Sequence, residues 1–499
     1  MRNMFRSLFA AALICASIES LPRPASALER LVFQMPLLET QFTFELGMEQ
    51  TTADLLSVNP DLAELDRAMN GSVKALLDKI FHAPLPLEAT ALLEGGAGQP
   101  LLEQALRAMT FVIEVKGLPD QSSGSVLAEA LIRANQRGKA NLLGLLREIP
   151  AEEAVVDLSR LNHYAKRLQN NLKEAAVLAD AMTPATVSPA LRAPLRRNWQ
   201  RVQQTLSVDH RPEPLPVLML IPEQRSNRRL VVISHGLWDE AQSFEGWAEM
   251  LAAHGYTVLL PDHPGSDRGQ QQAMLAGELP PPGPDELRLR PLDITALLDA
   301  VASGQILEGA SLNLREVGVV GHSWGATTAL QLIGLQTTDQ KLLKRCEKRD
   351  DLERNLSWVL QCSWLSHIDQ ASLSDPRVQA VVAVSPPLRL LFDPARQGLL
   401  TGKVLLITGT RDWVVPPGPE ALTPMRNSGV VQGGHRLVLV QGGDHFNLRA
   451  PSDPSTPAIL APLILGWINE QLAVPGAVTF TEGTWGDQNY PLIDVSDSL

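Results

Sequence analysis

Cysteine is scarce, with three in 499 residues. One of them, Cys15, lies in the N-terminal stretch, which leaves Cys346 and Cys362 as an isolated pair. That rules out a cysteine framework larger than one bridge, while in an oxidising compartment such a pair invites a single disulfide. Clusters of Lys and Arg of the nuclear-localisation type are absent and the net charge is -12, which argues against a nucleic-acid partner. Beyond the N-terminus no apolar run of about eighteen residues occurs, so no transmembrane span is expected in the mature chain. Residues 28–183 contain no Gly-rich phosphate loop and no metal-ligand spacing. Neither a cofactor nor a metal is expected. What is present is of globular type, 44% apolar and 20% charged.

The first residues read as an export signal. Arg2 and Arg6 give a positive start, Leu8 to Ile18 an apolar core, and Ala25-Ser26-Ala27 a small-residue cleavage site. Export to the periplasm or beyond, with cleavage near Ala27, is therefore expected. Residues 28–183 follow as a mainly helical domain. One strand-like alternation lies at Thr40 to Leu46, and helix-period segments occur at Leu62–Met69, Val73–Phe81, Leu87–Leu93 and Val126–Asn135. The longest carries a stripe of Leu161, Tyr164, Leu168, Leu172 and Ala175. Proline-rich residues 184–212 read as a linker, and 474–499 as a tail.

From 213 to 473 apolar strand candidates alternate with helical lengths. They are Val217–Leu220, Leu230–Ser234, Thr257–Pro261, Val317–Gly321, Val378–Val384, Lys403–Thr408 and Leu437–Val440. This texture predicts an α/β fold, a mostly parallel sheet covered on both faces. An insertion at 336–375, holding both cysteines, Trp358 and Trp364, is expected to act as a cap.

The chemistry lies at the strand ends. Gly321-His322-Ser323-Trp324-Gly325 sits between a strand and a helix, the setting that turns a serine into an exposed nucleophile. A serine needs a base, the base an orienting carboxylate, and the developing oxyanion two donors. Asp412, just past the strand at Lys403, is the expected acid, with Asp375 and Asp393 as weaker rivals. His445, past the last strand, is the expected base, and Asp444 is expected only to turn its loop. His235-Gly236-Leu237-Trp238 ends another strand and offers the Leu237 N–H to the oxyanion, alongside the Trp324 N–H. His235 and Trp238 are expected at the substrate, with Trp238 and Trp324 narrowing the acyl side. Residues Asp262 to Asp267 are expected to form a turn lining the pocket rather than a metal site.

These motifs together resemble the α/β-hydrolase superfamily, and more narrowly the platelet-activating-factor acetylhydrolase type. The resemblance rests on Ser234-His235-Gly236, Leu251-Ala252-Ala253-His254-Gly255-Tyr256, Arg290-Pro291-Leu292-Asp293, the Ser323 pentapeptide, Asp375-Pro376-Arg377-Val378 and His445-Phe446. It covers roughly 213–470, and the preceding region resembles a bacterial domain found before such hydrolases. It implies calcium-independent hydrolysis of a short or oxidised acyl ester on a phospholipid, or of some other small ester. Ala326 stands where the family tends to have a glycine, and Trp324 is bulkier than usual. A non-catalytic envelope protein that holds a ligand on the same fold is the alternative. Dienelactone-type enzymes use cysteine at the elbow, where this chain has Ser323.

Overall fold

The computed structural model describes residues 28–34, 41–46, 51–82, 99–109, 113–116, 123–139, 141–392, 400–428, 433–453 and 455–499. The expected export signal, the helix expected at 87–93 and Asp393 lie outside the described residues. Two compact units form, Met1–Leu93 with Met109–Arg160, and Glu94–Ala108 with Leu161–Leu499.

The first unit carries more sheet than its sequence suggests. Strands β1 (Arg30–Gln34), β2 (Gln41–Glu45), β3 (Ile113–Val115) and β4 (Glu153–Asp157) pair in the order β2-β1-β4-β3. β1 and β4 are parallel; the two outer pairings are antiparallel. Only β2 alternates fully; β1 and β4 are equally long but carry consecutive apolar residues, and β3 has three residues. Helix Ser123–Gln136 buries Leu127, Ala130, Leu131 and Ala134, the i, i+3, i+4, i+7 set of one helical face. The described part of this unit is mainly helical, as expected, with a four-stranded sheet beside the helices.

The second unit is built on nine strands. They are β5 (Trp199–Leu206), β6 (Leu215–Pro222), β7 (Leu230–Ser234), β8 (Thr257–Pro261), β9 (Val317–His322), β10 (Val378–Val384), β11 (Lys403–Gly409), β12 (Arg436–Val440) and β13 (Leu492–Asp494). Their order is β13-β12-β11-β10-β9-β7-β8-β6-β5. The run from β8 to β12 is parallel, and antiparallel strands close both edges. Alternate residues enter opposite layers. Leu230, Val232, Val319 and Leu406 pack on one face, and Val231, Val320 and Leu405 on the other. Continuous apolar strands are what a sheet covered on both sides requires.

Two boundaries differ from expectation. Residues 184–212 are no linker, because β5 lies within them, and the tail after 474 supplies β13. The long helix Leu158–Ala181 begins in the first unit, yet from Leu161 it belongs to the second. There its buried residues, among those whose burial is described, are Arg167, Asn171, Ala175 and Ala179; of the expected stripe Ala175 is buried, while Tyr164, Leu168 and Leu172 are half-buried. Within the insertion Cys346 and Cys362 form a disulfide. Buried Glu420 pins the same insertion, accepting hydrogen bonds from Asn355, Ser357, Trp358 and Gln361.

Candidate active site

β9 ends at His322 and a helix begins at Trp324, so Ser323 must reverse the chain alone. Its φ of 53° and ψ of -120° fall where a residue with a side chain is strained, at a cost of about 1–3 kcal/mol. Neighbouring chain leaves no alternative. A Cβ on Gly321 would come within 2.1 Å of the Gly325 carbonyl oxygen, and one on Gly325 within 2.0 Å of the Ser234 carbonyl oxygen. The Ser323 N–H donates to the Val384 carbonyl at 2.8 Å, tying the elbow to β10.

The ends of β11 and β12 bring Asp412 and His445 together. His445 Nδ1 lies 2.9 Å from Asp412 Oδ2. The other carboxylate oxygen accepts from the Val414 and Val415 N–H groups at 3.1 and 2.8 Å. Asp412 is wholly buried and fixed on both oxygens. With Nδ1 committed to it, His445 has Nε2 left as its basic nitrogen. Asp375 instead pairs with Arg377, and Asp444 accepts from the Phe446 and Asn447 N–H groups as a turn residue.

Ser323 and His445 both line a cavity of about 320 Å³. Its walls include Leu237, Trp238, Val415 and Phe446, together with Leu356, Val359 and Leu360 from the insertion. Gly236 packs against Ser323: a Cβ there would stand 3.2 Å from Ser323 Cβ. Neither the Leu237 nor the Trp324 N–H has an acceptor among the described residues.

Three expected contacts with substrate are corrected. His235 does not line the cavity; it is buried, with Nδ1 2.7 Å from the Gly236 carbonyl and Nε2 accepting from the His263 N–H at 2.9 Å. The Trp324 ring turns away, because the elbow aims it into the core between Trp364 and the Arg290 guanidinium, each 4.5 Å from its centre. Residues Asp262 to Asp267 do not reach the cavity either.

His322 was missed, although its place inside the pentapeptide marked it. It lines the cavity, and its Nε2 donates to the His445 carbonyl at 2.9 Å. Burial, and then the nearby His445 and Arg449, hold its pKa well below the ordinary histidine value. A neutral ring thus braces the His445 loop.

Residues 229–346 match the model of the alpha/beta hydrolase fold family. With the nine-stranded sheet and the elbow, that settles the architecture. The second unit has the α/β-hydrolase fold. The match supports placing the chain in the α/β-hydrolase superfamily; it includes Ser323 but stops before Asp412 and His445. No curated protein matches the chain.

Behind the α/β-hydrolase elbow lies a second arrangement of serine, histidine and aspartate. Ser234 Oγ is 2.9 Å from His263 Nε2, and His263 Nδ1 is 2.7 Å from Asp293 Oδ2. Asp293 also accepts from Arg211 and His210. Burial raises the Asp293 pKa, but hydrogen bonds from His210, His263 and Arg211 outweigh it and keep the carboxylate ionised. Burial lowers His263 to about 4. All three residues are wholly buried.

Proposed function

We propose that the chain is a serine ester hydrolase of the carboxylesterase or lipase-like kind, acting on short-acyl or phospholipid-type esters. Ser323 attacks the ester carbonyl while His445 Nε2 takes its proton; Asp412 orients the imidazole and stabilises its charged form. The Leu237 and Trp324 N–H groups hold the oxyanion. His445 returns the proton to the departing alcohol, and water then hydrolyses the acyl-enzyme through the same histidine. The narrower likeness to platelet-activating-factor acetylhydrolases belongs to this reading, as does export after cleavage near Ala27.

One observation carries the reading: a strained serine and a carboxylate-held histidine line one apolar cavity. A cavity closed partly by the insertion takes a limited acyl chain, since each buried CH₂ gains about 0.8 kcal/mol only while there is room. The test combines fluorophosphonate labelling with a series of p-nitrophenyl esters. Labelling is expected at Ser323, and kcat/KM is expected to peak at short chains. An unlabelled, inactive protein overturns the hydrolase reading. A kcat/KM still rising past about ten acyl carbons overturns the short-acyl part alone.

A further inference from the structure

The peptide joining Gly236 and Leu237 is held from behind by two side chains. Its carbonyl oxygen lies 2.7 Å from His235 Nδ1 and 3.2 Å from an Arg290 terminal nitrogen. The His235 proton must sit on Nδ1, because Nε2 is occupied in accepting from the His263 N–H. Both contacts are therefore donations to the Gly236 oxygen. Arg290 reaches the neighbouring His235 carbonyl as well, at 2.7 Å, and its guanidinium lies over the Trp324 ring. Arg290 is wholly buried, and no carboxylate among the described residues pairs with it directly. Glu286 reaches it only through the Ser266 hydroxyl.

A trans peptide points its C=O and N–H in opposite directions. Two donors on the Gly236 oxygen thus turn the Leu237 N–H towards the other side, where Gly236 meets Ser323. They also draw electron density to the oxygen and sharpen the N–H as a donor, an effect that is strong in a dry interior. We propose that His235 and Arg290 are positioning residues of the oxyanion site, clamping and polarising the peptide that presents the Leu237 N–H. This rests on the ester-hydrolase reading. Neither side chain touches substrate; both act through one peptide. Arg290 stays charged at neutral pH: burial brings it down to about 9, against the opposing pull of Glu286.

Steady-state kinetics on a p-nitrophenyl ester, with binding of a trifluoromethyl ketone, tests the assignment. His235→Phe and Arg290→Met remove the donors. Each is expected to lower kcat roughly ten- to a hundredfold with KM within about threefold, short of the larger loss from deleting a donor outright. Affinity for the ketone, whose adduct carries an oxyanion, is expected to fall in parallel. His235→Asn keeps an N–H donor near the same oxygen and is expected to recover most of the rate; Arg290→Lys, which keeps charge but not the fork, recovers less. If the harsher variants do not fold, this graded pair decides the matter. Wild-type kcat and ketone affinity in His235→Phe, or in both milder variants with no rescue order, overturn the proposal. Failure of the wild-type protein to label with fluorophosphonate or to turn over esters overturns the ester-hydrolase reading instead.

Discussion

Two groups of serine, histidine and aspartate stand within the same α/β-hydrolase unit, and their histidine–aspartate contacts look alike. His445 meets Asp412 at 2.9 Å; His263 meets Asp293 at 2.7 Å. They differ in access and strain. Ser323 sits at φ 53° on a cavity wall and is 7% exposed, whereas Ser234 is the last residue of a regular strand and is 0% exposed. They differ in charge environment as well. Asp412 is held by backbone N–H groups, while Asp293 is locked to Arg211 and two histidines. A list of residue types does not separate these two groups; backbone strain and an open cavity do.

Swapping alanine for each serine is the bluntest way to break the comparison. Ser323→Ala is expected to lower kcat by about 10⁵–10⁶-fold, as loss of a nucleophile does elsewhere. Ser234→Ala is expected to lower it by no more than about tenfold, since it removes only one hydrogen bond behind the elbow. Comparable losses in both, measured as ester turnover on folded protein, would remove the distinction.

The two aspartates should fail in different ways. Asp412→Asn is expected to reduce kcat by about 10⁴-fold and to leave stability within about 1 kcal/mol, because it disturbs orientation and tautomer. Asp293→Asn is expected to destabilise by about 3–5 kcal/mol, because it leaves the Arg211 charge buried with only Glu286 beside it. Urea unfolding of the two variants with kcat measured alongside checks the contrast. An Asp293 variant as stable as wild type would show that its network is dispensable.

These differences also mark where the sequence was legible. The strands from β6 to β12 announced themselves because a sheet buried on both faces needs unbroken apolar runs. Ser323, Asp412 and His445 were readable because each lies in the short segment just past the end of such a strand. β5 was not, since Gln200, Arg201, Gln203 and Gln204 on an edge strand face solvent and leave no apolar signal. His235, His263, Arg290 and Asp293 span nearly sixty positions, and nothing local tells which nitrogen of a histidine carries the proton. The direction of the Trp324 ring was hidden for a similar reason: it follows from the backbone reversal at Ser323, not from its neighbours in sequence.

The smallest effect to seek is the proton that His263 refuses. Burial lowers its pKa, the Arg290 charge lowers it further, and the Asp293 contact only partly restores it, giving about 4 against an ordinary 6.5. Between pH 6.5 and 4 the unfolded chain binds a proton there that the folded chain does not. Stability contributed by this group is therefore complete above about 6.5 and is lost as pH falls towards 4, with a slope of at most ~1.4 kcal/mol per pH unit. Carboxylates raised by burial, such as Asp262 at about 6, act with the opposite sign, so overall stability is a blunt probe. The ring itself is the better one. In a ¹⁵N-histidine titration of the folded protein, the His263 signals are expected to keep the neutral Nδ1–H pattern down to about pH 5. A His263 ring that titrates near 6.5 would mean that the buried group exchanges protons as an exposed one does, and the contrast with the site at Ser323 would lose its electrostatic half.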